Sequence, residues 1–227
     1  MRFAVGFLAA ACATLAHAGV ISSNLGPGGS FATSSWVVGT SSSPFGSTTL
    51  EVAAAFIAST DAIFTGAEFA VESLGGFGAL TVALTTTGPL GTPDAALETF
   101  HLQGPSSPTL MSVQSTVNPL LSAGAEYWLD ISAPFSTGEW FDNNLGMRGP
   151  VAVNQNQLGF VLLTDFGGNP PVQPAFQIDG NPVGFSAAIA PLATALASPE
   201  PSSVFLVIGG LLVFLGQRAL SHRTVFR

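Results

Sequence analysis

The sequence predicts an all-β fold, an antiparallel β-sandwich of jelly-roll type, and three observations lead there. From Gly19 to about Ala188 no segment repeats its apolar residues at the 3.6-residue period of a helix. Short runs alternate apolar and polar residues instead, the period of a strand with one buried face. Between many of these runs lie turn-forming pieces: GPGG, SSSPFGS, LGGFG, TGPLGTP and GGNPP. About nine short strands joined in this way suit two packed antiparallel layers. No period repeats along the chain, which argues against a propeller or a solenoid.

In chain order, the runs SFATSSWVVG, TLEVAAAFIA and IFTGAEFAVES come first. In GALTVALTTT, Leu80, Val82 and Leu84 point one way, with Thr81, Ala83 and Thr85 opposite. AALETFHLQ follows across a loop carrying Gly88, Pro89, Gly91 and Pro93, and TLMSVQSTV comes next. In AEYWLDIS, Tyr127, Leu129 and Ile131 alternate with Trp128, Asp130 and Ser132. STGEWFDNN reads as a loop, and QLGFVLLTDF and PAFQIDGNPVGFSAA complete the set. Together they assign residues 19–190 to one domain, within the usual size of ~100–200 residues.

The two ends have a different composition. MRFAVGFLAAACATLAHA sets a basic Arg2 before an apolar stretch and ends on small residues, Ala16 and Ala18, at −3 and −1. This is the pattern of a signal peptide over residues 1–18, cleaved after Ala18. The single cysteine, Cys12, leaves with it, so the mature chain has no thiol for disulfides or thiolate metal sites. Between Gly19 and Ser198 there are one arginine, no lysine and twelve of the thirteen acids, a formal −11. Such a surface repels phosphate backbones and excludes nucleic-acid binding.

At the other end, Val204–Leu215 is apolar but spans only ~18 Å as a helix. Extended to residues 202–220 it reaches ~28 Å, close to the ~30 Å hydrocarbon layer. Arg218 then lies near its end, able to snorkel, and the tail 221–227 adds Arg223 and Arg227. The positive-inside rule places that tail in the cytoplasm and the domain outside. Within the linker 191–201, Pro199-Glu200-Pro201 holds the chain extended just before the apolar segment. It is a stalk before an anchor, or a strip that a membrane-embedded processing enzyme grips.

Pro-Glu-Pro, an apolar segment of this length and a short tail carrying arginines resemble the PEP-CTERM sorting domain of Gram-negative bacteria, from Pro199 to about Arg227. The arginines here are spread out rather than packed directly behind the apolar segment. The resemblance implies recognition and cleavage by an exosortase, and an association with exopolysaccharide and biofilm matrix. The domain also resembles the choice-of-anchor domains that accompany such tails, the R type in particular. NLGPGGSFATSSWVVG, TVALTTTGPLGTPDAALETFHL and LSAGAEYWLDISAP carry this likeness. Leu121, Ala123, Gly124, Tyr127, Trp128 and Leu129 match the motif L-x-A-G-x-x-Y-W-L, which implies structural positions and no catalytic ones.

Candidates for chemistry are few. His101 is the one histidine of the mature domain and faces opposite to Phe100 and Leu102, toward solvent. Zinc wants several His or Cys ligands, which are absent. Glu126 with Asp130, or Glu139 with Asp142, could act as paired carboxylates, although acids are the domain's ordinary charge. Asp142, Asn143 and Asn144, and Asp165 with Asn169, supply hard oxygens for calcium, without the spacing of a dedicated calcium loop. Trp140 and Phe141 form a candidate glycan platform on a loop, while Trp36 and Trp128 belong to the core.

The expectation is a non-enzymatic exported surface or matrix protein with no required cofactor. Its partners would be an exosortase, the membrane before processing, and exopolysaccharide. A carbohydrate-binding module, calcium-assisted or not, is the alternative, and a glycan-processing enzyme the third reading.

Overall fold

A computed structural model describes residues 19–43, 46–74, 78–164 and 168–184. The fold is all-β and antiparallel, and among the described residues thirteen strands join one hydrogen-bonded sheet. In chain order they are β1 (Gly19–Ser23), β2 (Ser35–Ser43), β3 (Gly46–Ile57), β4 (Ala62–Leu74), β5 (Ala79–Thr87), β6 (Pro93–Gln103) and β7 (Thr109–Gln114). The remaining six are β8 (Leu120–Leu121), β9 (Glu126–Ser132), β10 (Thr137–Phe141), β11 (Val151–Gln155), β12 (Phe160–Leu162) and β13 (Phe176–Pro182). One 3-10 turn, Pro27–Gly29, is the helical content of the described residues.

The main path through the sheet is β1-β13-β4-β10-β2-β3-β9-β5-β6. Its long strands change partners along their length, and that bends the sheet. β4 pairs with β13 over Ala62–Phe69 and with β10 over Val71–Leu74, while β7 and β8 line its other edge. β3 pairs with β2 up to Leu50, and beyond that with β9 on one side and β11 on the other. Gly39 is where β2 passes from β10 to β3. Its φ is +88°, and an added Cβ would lie 2.1 Å from the Ser136 carbonyl oxygen, so only glycine fits.

The sheet curls until distant strands meet. Phe56 of β3 packs on Phe176 of β13 at 6.2 Å, and Phe64 of β4 on Phe100 of β6 at 6.5 Å. Neither pair sits on hydrogen-bonded neighbours, so the curl alone brings the rings together. Alternation decides which side chains fill the enclosed space. Val52, Ala54 and Phe56, then Leu80, Val82 and Leu84, then Tyr127, Leu129 and Ile131 all enter one core. Burying a large apolar side chain of this kind stabilises the fold by about 1.5–3 kcal/mol.

Four strands have no counterpart in the sequence reading: β1, β8, β10 and β11. The segment around Trp140 is a correction. It is strand β10, whose alternation is disguised because the inward position before Trp140 is Gly138. Gly138 has no room for more, since a Cβ there would lie 2.9 Å from the Glu72 carbonyl oxygen. The leader, residues 185–190, the linker, the apolar segment and the basic tail lie outside the described residues.

Glu98 closes the curl. It stands on β6, the far end of the path, and is 6% exposed. Its carboxylate accepts hydrogen bonds from the Ser115 hydroxyl, the Thr116 N–H (2.7 Å), the Thr116 hydroxyl (3.1 Å) and the Val117 N–H (3.1 Å). Those donors belong to the connection between β7 and β8, on the opposite side of β4. Burial pushes the Glu98 pKa up. The Ser115 hydroxyl, the Thr116 and Val117 N–H groups and the Thr116 hydroxyl outweigh it and hold the carboxyl below its ordinary value.

Glu98→Gln should cost about 2–3 kcal/mol at pH 7, because charge-assisted bonds are lost and the amide meets donors with a donor. A depressed folded pKa contributes stability above the unfolded pKa and loses it as pH falls through the folded one. The difference in urea midpoint between wild type and variant should therefore shrink in acid, and a difference constant with pH would count against the clasp.

Candidate functional site

Strand register draws a line of polar side chains across five strands. Asn154 of β11 stands opposite Glu51 of β3, and Glu51 opposite Ser132 of β9. Ser132 stands opposite Thr81 of β5, and Thr81 opposite His101 of β6. The line occupies the outer face, because the adjoining Val52, Ile131 and Val82 enter the core. The Asn154 amide donates to Glu51 Oε2 at 2.9 Å, and Thr81 Oγ1 lies 3.3 Å from His101 Nδ1.

The next row on this face reads Ala152, Ala53, Asp130, Ala83, Thr99, and Trp128 lies in the row beyond, between Ala55 and Thr85. Asp130 is thus a carboxyl set among alanines and beside an indole. It is 6% exposed, and its Oδ1 is buried with no hydrogen-bond partner. Burial pushes its pKa well up, and the charge of Glu51 and a hydrogen bond to it push in the same direction. Phe160 packs on Ala53, Ala55, Trp128 and Ala152 and shields this flank. Beside the polar line a crevice of about 90 Å³ is lined by Thr49, Glu51, Ser132, Pro134, Asn154 and Gln157.

The residues singled out from the sequence are distributed as follows. His101 is exposed while Phe100 and Leu102 pack toward the core. Glu126 and Asp130 share a strand face but are four residues apart, about 13 Å at the rise of a strand. That exceeds the ~5–9.5 Å of glycosidase carboxyl pairs, so these two do not form one. Glu139 and Asp142 are three residues apart on extended chain and point to opposite sides; Glu139 instead faces Glu72. Trp140 is 0% exposed and donates its indole N–H to the Ala175 carbonyl at 3.0 Å, and Phe141 is 4% exposed. Neither is a surface platform for a sugar, which corrects that expectation: β10 turns both side chains into packed apolar clusters.

Around the expected calcium loop, Asn143 braces its own turn, donating to the Met147 and Gln173 carbonyls and accepting from the Met147 N–H. Asn144 donates to Ser30 Oγ at 2.9 Å. Asp142 Oδ1 is buried with no partner, and Asp165 lies outside the described residues. No group of three or more His, Cys, Asp or Glu side chains able to hold a metal is found among the described residues. The motif L-x-A-G-x-x-Y-W-L has clear structural duties. Leu121, Tyr127 and Leu129 fill the core, Gly124 turns at φ +76°, and Tyr127 Oη accepts the Ser122 N–H at 2.9 Å.

The Glu51–Asp130 pair was missed because its members are far apart in sequence and meet only through the β3–β9 register. A cleft of about 400 Å³ also opens where Ser22, Asn24, Ile57, Glu126, Arg148 and Gln173 come together. Asn24 and Gln173 direct their amides to backbone carbonyls there, which makes them wall-building residues. No model of a known protein family matches the chain, and no curated protein does.

Asp130→Asn should stabilise the protein in EDTA at pH 8 by about 1–3 kcal/mol, since a buried, charge-opposed carboxyl becomes a neutral amide. An acid whose folded pKa is raised binds more protons when folded, so wild-type stability falls as pH rises from the ordinary aspartate range through the raised value. The variant should lack that fall in thermal midpoint, and parallel pH profiles would refute the assignment.

Proposed function

We propose that this chain is a non-enzymatic exported protein of the cell surface or extracellular matrix. We read its curled sheet as a β-sandwich of jelly-roll type, with β1-β13-β4-β7 as one layer and β11-β3-β9-β5-β6 as the other. A leader ending at Ala18 directs export, and a tail of PEP-CTERM type holds the domain at the membrane until an exosortase cuts near Pro199-Glu200-Pro201. Association with exopolysaccharide follows from the same resemblance.

The observation that carries this reading is where the domain's ends lie. Gly19, the first residue after the expected cleavage, stands directly opposite Gly180, and β13 stops at Pro182. Leader and tail therefore attach at one end of the sheet. That arrangement lets a domain be threaded out, folded and tethered without either terminus crossing it. The stretch 185–201, at ~3.3 Å per residue, allows a stand-off of at most roughly 56 Å from the bilayer.

The polar line supports a non-catalytic role. The Thr81–His101 contact lies on an open strand face, and no carboxylate orients the ring from its other nitrogen among the described residues. With Trp140 buried, the carbohydrate-binding alternative has lost the aromatic platform on which it stood.

Mass spectrometry of the exported protein should find Gly19 at the N-terminus, a C-terminus near Pro199, and no peptide from Val204–Arg227. Recovery of that peptide from exported material would rule out processing and leave a permanent anchor.

A further inference from the structure

We propose that Glu51 and Asp130 form the centre of a divalent-cation site of the hard, oxygen-coordinated calcium type. The two carboxyl groups lie on neighbouring strands, diagonal to one another and two register positions out of line: Glu51 opposes Ser132, and Asp130 opposes Ala53. Both point to the outer face, where Ala53, Ala83 and Ala152 flank Asp130 and a crevice opens beside Glu51.

Asp130 has the mark of an incomplete environment. It is more than nine-tenths buried, yet Oδ1 meets no donor. Buried acceptors are almost always satisfied, and a buried carboxylate beside a second one needs positive charge. A single shared proton can serve one oxygen on each side and leaves Oδ1 of Asp130 bare. A cation between the groups would offset both charges and engage that oxygen.

The adjoining crevice supplies the remaining chemistry. Of its six lining residues only Pro134 lacks a side-chain oxygen; the others are Thr49, Glu51, Ser132, Asn154 and Gln157. None is cationic. About 90 Å³ leaves room for a cation that keeps some of its water, and calcium completes six to eight oxygen ligands in that way. The Asn154 amide, donating to Glu51 Oε2, orients the carboxylate from the β11 side. The site would join β3, β9 and β11 at their outer face. It involves none of the loop residues Asp142, Asn144 and Asp165.

Terbium titration of the purified full-length chain in detergent tests the proposal, with calcium as competitor. Trp128, two residues along the same strand face and about 7 Å away, should sensitise the emission. The expected result is saturable terbium luminescence that calcium displaces, together with a calcium-dependent rise of a few degrees in thermal midpoint. Both should be lost in Asp130→Asn and in Glu51→Gln and retained in Glu139→Gln and Asp142→Asn; Trp128→Phe should dim the emission without abolishing the thermal shift. No saturable signal, or a signal that survives in Asp130→Asn and Glu51→Gln, overturns the site. Loss in Asp142→Asn alone overturns it too, by moving the ion to the loop after β10.

Discussion

A single sheet that encloses its own core must close somewhere, and here one carboxylate supplies the densest set of polar bonds at the closure. Glu98 stands at the end of the strand path and takes four hydrogen bonds from three consecutive residues beyond β7. Without it, the body of β6 would face the β7–β8 connection through apolar packing, which is strong but indifferent to register, and the Ser73 N–H to Pro105 carbonyl bond would hold only the end of the strand. The bonds to two backbone N–H groups fix how far β6 slides along the far edge of β4. The Phe64–Phe100 contact depends on that placement.

The same bond type recurs across the molecule for a compositional reason. The domain has no lysine, so its carboxylates find neutral donors in place of ammonium partners. Glu51 accepts from the Asn154 amide, Asp61 from the Ala123 N–H, Glu126 from the Thr87 hydroxyl and Asp179 from the Gln177 amide. Such bonds are short-ranged and directional, and they bridge residues as far apart as 51 and 154. They also resist salt better than exposed ion pairs do. Asp130 and Asp142 depart from this pattern, each with a buried oxygen left over, that of Asp130 in a stripe of alanines.

Threonine and tryptophan link the outer face into one layer. The Trp128 indole donates to Thr87 Oγ1 at 3.0 Å, and the same hydroxyl donates to the Glu126 carbonyl at 2.8 Å. β5 and β9 are thus tied by side chains as well as by their ladder. Together with Phe160 on the alanine patch, this gives β3 and β9 packed clusters on both sides. The sheet there is buried twice, and Trp128 belongs to the outer cluster and not to the main core.

Several features followed from the sequence directly. Period-two alternation assigned Leu80, Val82, Leu84, Tyr127, Leu129 and Ile131 to one buried face and sent His101 outward, because strand geometry leaves a side chain only two directions. Tertiary structure alone decided the rest. It turned Trp140 inward, since the loop-like TGEWF is held as a strand between β2 and β4. It separated Glu126 from Asp130 and Glu139 from Asp142, and it joined Asp130 to Glu51, 79 positions away in the numbering of the chain. Alternation tells which face a side chain takes, but cross-strand register decides which residue it meets there, and that register is set by long-range pairing and by where the curl closes.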